Sequence, residues 1–101
     1  MTTAEAKLIS GLGFAQKAGK VRSGEFAAAK AVKSGAARAV VLDGAASENT
    51  KKRWRETCEN AGIPLLFAEN VGRAIGREAH IVACVTDNGF AEMLLRSQVN
   101  P

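Results

Sequence analysis

Apolar residues recur along this chain in two rhythms, one helical and one in short unbroken runs. Between residues 4 and 18, Leu8, Ile9, Leu12 and Ala15 return at helical spacing, and Gly19 follows as a natural stop. Gly11-Leu12-Gly13 lies inside that helical pattern rather than after a strand, so it reads as a close-packing device and not as a dinucleotide loop. Lys20-Val21-Arg22 is a short extended piece. Ser23-Gly24 then opens an alanine-rich helix that lasts until Gly35, with Ser23 or Gly24 at the N-cap and Glu25 in the first turn. Ala39-Val40-Val41-Leu42 is continuous and ends at Asp43-Gly44, the signature of a strand buried on both faces. Ser47 caps a third helix that reaches Gly62 with Trp54, Cys58 and Ala61 as its inner stripe. Pro64 to Phe67 is the next strand, Glu69-Asn70-Val71 a short loop, and Gly72 to Gly76 a brief helix bounded by glycines. Ile81 to Thr86 is the strongest strand. Asp87-Asn88 starts a last helix whose Phe90, Met93, Leu94 and Leu95 pack inward, and residues 96–101 form a frayed tail.

Helices alternating with short apolar strands predict an α/β fold, a small sheet with helices on both faces. No linker, repeat or low-complexity stretch divides the chain, so residues 1–101 form one domain, long enough for a core without disulfide staples.

Charge changes the picture at one place. From Lys17 to Arg38 the chain carries Lys17, Lys20, Arg22, Lys30, Lys33 and Arg38 against the single acid Glu25, while the whole protein carries only +4. The remainder is therefore slightly acidic, and the positive charge concentrates around the start of the second helix. A helix N-terminus ringed by Lys and Arg suits a polyanion, foremost a nucleic-acid backbone. At 100° per residue, Ala28, Ala31 and Val32 share one side of that helix. Phe26, Lys30 and Lys33 share the other, with the ring between the two lysines. Two orientations stay open for Phe26: folded inward, as most phenylalanines are, or displayed for an unstacked base.

Other chemistry is thinly represented. Cys58 and Cys84 lack metal-ligand spacing and read as two reduced, buried thiols of a cytoplasmic protein. His80, the sole histidine, sits beside the start of a strand and reads as a satisfied polar residue rather than a base. Asp43 and Asp87 lie at strand ends, where they serve as turn and cap residues. No serine stands in a nucleophile elbow, no run is long enough to span a membrane, and no apolar signal core opens the chain. The expectation is a non-enzyme with no cofactor and no metal, probing a polyanionic partner as a monomer.

Several segments together resemble one known family. They are Gly24-(five residues)-Lys30-Ala31-Val32, Gly35-x-Ala37-Arg38-Ala39-Val40-Val41-Leu42, Cys58-(four residues)-Ile63-Pro64, Val71 to Gly76, and the closing Val82 to Val85 strand. In this order and spacing they resemble the ribosomal-protein family of L7Ae and L30e across Leu8 to Leu95. Ala46 to Lys52 and Thr86 to Ala91 look like its short bacterial members. The resemblance implies a three-layer α/β/α sandwich around a mixed four-stranded sheet and an RNA-binding, ribosomal-protein-like function. In kink-turn-binding members, the helix after the glycine enters the opened major groove at sheared G·A pairs, and a second loop covers a flipped nucleotide. Carried over, these contacts fall on Lys20, Arg22, Ser23, Gly24, Glu25, Phe26, Lys30 and Lys33, and on Glu69, Asn70, Val71 and Gly72.

Two departures from that pattern bear on specificity. Where the strongest kink-turn binders carry Asn-Glu, this chain has Phe26-Ala27, which forfeits base contacts worth ~1–3 kcal/mol of discrimination each. The loop between Pro64 and Val71 is also about three residues shorter than in those relatives. Backbone binding survives such changes more easily than base reading does. A rival expectation is a protein-interaction module that uses Lys51, Lys52, Arg53 and Arg55 on the third helix, against the plainer reading of a solvated face offset by Glu48, Glu56 and Glu59. A third is a substrate-recognition module working for an RNA methyltransferase in trans.

Overall fold

The computed structural model describes residues 3–99. Its elements in chain order are α1 (Thr3–Lys17), β1 (Val21–Ser23), α2 (Glu25–Lys33), β2 (Ala39–Asp43), α3 (Glu48–Ala61), β3 (Leu65–Ala68), α4 (Val71–Ala74), β4 (Val82–Val85) and α5 (Asn88–Val99). The four strands form one mixed sheet in the order β1-β4-β2-β3. Strand β2 runs parallel to β3 and antiparallel to β4, and β4 pairs antiparallel with β1.

Alternation along the strands creates two cores, one on each face of the sheet. Val21, Ala39, Val41, Ala68, Ala83 and Val85 face Leu8, Leu12 and Ala15 of α1, Val71 of α4 and Leu94 of α5. Val40, Leu42, Val82 and Cys84 face Ala28, Ala31 and Val32 of α2 and Trp54 and Cys58 of α3. Strands β2 and β4 are central and buried on both sides, which is why their sequences are unbroken apolar runs. The result is the three-layer α/β/α sandwich.

The helix boundaries follow their capping chemistry. Ser47 Oγ accepts the Thr50 N–H at 3.2 Å, and Gly62 closes α3 in the left-handed region at φ 69°. Gly11 lets α1 and α5 meet: a Cβ there would lie 2.7 Å from Leu94 Cδ2.

The structure corrects three expectations. Ala61 is exposed, because it ends α3 one residue before the Gly62 turn, so the inner stripe of that helix is Trp54 and Cys58. Met93 is 40% exposed at the rim of the α1–α5 seam, beside Phe14, while Leu94 alone of the last-helix set is fully buried. The expected frayed tail is helical as far as Val99: Ser97 is buried with its hydroxyl donating to Leu94 O, and Gln98 Nε2 donates to Ala4 O at 3.3 Å. Residues 100 and 101 of that tail lie outside the described residues.

Candidate nucleic-acid interface

Helix α2 is laid against the sheet by its small residues. Ala28, Ala31 and Val32 are buried, so Phe26, Lys30 and Lys33 point into solvent. The open question about Phe26 is thereby answered. At 84% exposure it is the most exposed large apolar side chain among the described residues, and burial of such a side chain is normally worth ~1.5–3 kcal/mol.

Phe26 and Ala27 form a ridge shared by two shallow grooves. The first, about 460 Å³, continues past Arg22, Lys30, Ser34 and Thr86. Arg22 is anchored at its edge, with Nη1 donating to Val21 O at 3.0 Å and Gly19 O at 3.3 Å. The second, about 530 Å³, runs along Ser23, Gly24 and Glu25 to Ala79, His80 and Ile81. Lys20 and Lys33 are exposed outside both grooves.

Gly24 is the N-cap of α2, at φ 87°, and its N–H donates to Val82 O at 2.9 Å. Ser23 does not cap the helix. Its hydroxyl meets His80 Nδ1 at 2.8 Å, and a Cβ on Gly24 would lie 3.4 Å from that imidazole. Glu25 lines the second groove, and its Oε1 reaches toward α3, where it pairs with Arg53 and accepts from Trp54 Nε1 at 3.4 Å.

The segment 69–72 divides in two. Glu69 and Asn70 are exposed, and Asn70 is the one non-glycine residue with positive φ (59°) among the described residues. Val71 is fully buried in the core and its N–H donates to Asp43 Oδ2 at 3.2 Å. Gly72 is buried too. A Cβ on it would lie 2.4 Å from Arg77 O, 2.5 Å from His80 O and 2.8 Å from Glu78 O. These two residues therefore support the lip from beneath, and its surface is carried by Glu69, Asn70 and Arg73.

The turn from Arg77 to His80 joins the two segments: its carbonyls wrap Gly72, and its last side chain packs on Gly24. Sequence reasoning missed this role for His80. No local signal carries it, because the contact depends on the pairing of Ser23 with Ala83, which brings the residues before β4 alongside those after β1.

The other candidate groups are occupied structurally. Asp43 Oδ1 accepts from Ala45 N at 2.9 Å and Asp87 Oδ2 from Phe90 N at 3.0 Å, as turn and cap residues do. Burial pushes the Cys58 thiol up to about 11, helped by neighbouring Cys84, and burial raises Cys84 as well. On α3, Lys51 pairs with Glu48 at 3.3 Å, Arg53 with Glu25, and the Arg55 guanidinium lies 5.6 Å from the centre of the Phe67 ring. Only Lys52 of that basic cluster is without a partner among the described residues, so the cluster is a laced helix face.

Comparison with known proteins places this geometry. The model of the ribosomal protein L7Ae/L30e/S12e/Gadd45 family matches residues 6–95. The chain belongs to this family. It is 40% identical over 87 residues to the RNA-binding protein YlxQ of Bacillus subtilis, covering 83% of this chain and 87% of that one. It is 33% identical over 89 residues to the RNA-binding protein YlxQ of Enterococcus faecium, covering 85% of each. A solved protein of unknown function from Bacillus halodurans superimposes with a TM-score of 0.85 at 35% identity, over 92% of this chain and 97% of that one. The 15.5kD RNA binding protein of Giardia lamblia shares the fold at a TM-score of 0.79 and 19% identity, over 96% of this chain and 86% of that one. No described helix of this L7Ae-family chain is long and apolar enough to cross a membrane.

Proposed function

We propose that this protein is a non-catalytic, cytoplasmic RNA-binding protein that contacts structured RNA through the outer face of α2 and the lip at residues 69–73. The observation that carries the reading is Phe26, displayed in solvent on a helix face beside Lys30 and Lys33 and next to Arg22. An exposed aromatic ring among cations is what an unstacked base and its phosphates require. The names of the two YlxQ relatives support the same reading.

Magnitudes say what kind of RNA reader this is. A base stacked on an aromatic ring contributes ~1–3 kcal/mol, comparable to one bidentate base contact. Phe26 thus offsets about one of the two base contacts that an Asn-Glu pair would have supplied, without its guanine code. Kink-turns and other RNAs with a splayed base are the substrates this surface fits, and a continuous duplex is not.

The test is binding to a kink-turn RNA and to a duplex of equal length at two salt concentrations. Tighter binding to the kink-turn is expected, and Lys30→Ala with Lys33→Ala should reduce the salt slope by about 1.4–1.8. An unchanged affinity and slope in the double variant would remove α2 from the interface.

A further inference from the structure

The groove between Phe26 and His80 contains a hydrogen-bonding group, His80, that lies outside the segments carrying the family resemblance. We propose that His80 is the base-reading residue of this interface, its Nε2–H donating to the acceptor edge of a guanine stacked on Phe26. The inference rests on the RNA-binding reading above and adds a specificity determinant to it.

Three features of the groove converge on this. First, the ring is held in place: Nδ1 is 2.8 Å from Ser23 Oγ, and Gly24 leaves its face uncovered by any Cβ. Second, Nε2 is free. It has no partner among the described residues and is not sealed from solvent. Third, it has no rival within the groove. Of the eight lining residues only Ser23, Glu25 and His80 have polar side chains; Ser23 is committed to the ring, and Glu25 is turned to Arg53 and Trp54.

In the proposed arrangement Ser23 Oγ donates to Nδ1 across the 2.8 Å contact, which leaves the ring's own proton on Nε2. A donor shared between positions 6 and 7 matches guanine, whose O6 and N7 are both acceptors; adenine keeps the N7 acceptor but turns an amino donor toward it at position 6. The flat Phe26 ring favours a purine for its larger stacking face. This arrangement returns guanine reading to a surface whose Phe26-Ala27 ridge has no polar side-chain atom.

The test uses hairpin RNAs with a common stem and one unpaired nucleotide: guanine, adenine or 7-deazaguanine. The wild-type protein should bind the guanine hairpin about tenfold more tightly than the adenine one, with 7-deazaguanine between them. His80→Phe keeps a ring against Gly24 and should erase the preference while leaving the salt slope intact. His80→Gln, which keeps a donor, should restore part of it. Ser23→Ala releases the ring and should shrink the preference about threefold, a readout that stands even where His80→Phe folds poorly. A wild-type protein indifferent to the unpaired base, or a His80→Phe protein that still prefers guanine, would overturn the proposal. Wild-type binding of every hairpin by Lys30→Ala/Lys33→Ala would instead overturn the RNA face itself.

Discussion

Replacing Gly72 by alanine tests the joint between the two segments of the proposed interface. The new Cβ would lie 2.4, 2.5 and 2.8 Å from the carbonyl oxygens of Arg77, His80 and Glu78. All three are backbone atoms, so no side-chain rotation relieves them, and the whole turn must move outward. That turn is also tied to Gly72, whose carbonyl accepts from Arg77 N at 2.7 Å. Overpacking of a closed site costs ~1–3 kcal/mol, and a backbone clash on three sides belongs at the upper end, about 3 kcal/mol. For a domain of this size each kcal/mol lowers Tm by about 4–8 °C, which gives a fall of about 12–24 °C. The assay is thermal unfolding by circular dichroism, with two internal controls. At Gly13 the nearest atom to an added Cβ is Ala74 O at 3.4 Å, so Gly13→Ala should be neutral or gain up to about 1 kcal/mol of helix propensity. At Gly11 the clash at 2.7 Å is with the side chain of Leu94, which is fully buried, so Gly11→Ala should fall between the two. A Gly72→Ala protein within 2 °C of wild type, by about the resolution of the assay, would refute the reasoning.

Phe26→Ala removes an exposed ring, so stability should change by less than about 0.5 kcal/mol while RNA affinity falls by ~1–3 kcal/mol; unfolding curves and binding isotherms separate the two. Glu25→Gln breaks an ion pair whose partners are about half exposed, and should cost less than about 1 kcal/mol in denaturant unfolding. Cys58 has a folded-state value of about 11 against an ordinary 9.0, so the thiol stabilises the fold below pH 9 and loses that contribution between pH 9 and 11. Stability of the wild type should therefore fall more steeply over that window than stability of Cys58→Ala.

Much of the fold was legible because its signals are local. Ser47 and Gly62 bracket α3 by their own capping chemistry, and the two central strands are written as unbroken apolar runs. The outward face of α2 followed from helical geometry, since Ala28, Ala31 and Val32 leave only the opposite side for Lys30 and Lys33. The orientation of Phe26 was not legible, because the general tendency of phenylalanine to be buried opposes that geometry, and only the close seating of α2 on the sheet decides between them. Met93 and Ala61 were misread for a related reason: helical spacing marks a stripe, but how far the neighbouring element extends decides whether its last members are covered. His80 and Gly72 were the least visible. Their roles come from contacts across the chain, 57 residues apart for Ser23 and His80, made by strand register and by a turn that wraps a glycine.

The most direct test of the central claim is amide chemical-shift mapping of the labelled protein titrated with a kink-turn RNA. Binding through the α2 face predicts shifts concentrated in residues 22–33, 69–73 and 77–80, with α1, α5 and the outer face of α3 unmoved. Shifts centred on residues 51–55, or along the α1–α5 seam around Phe14 and Met93, would contradict it.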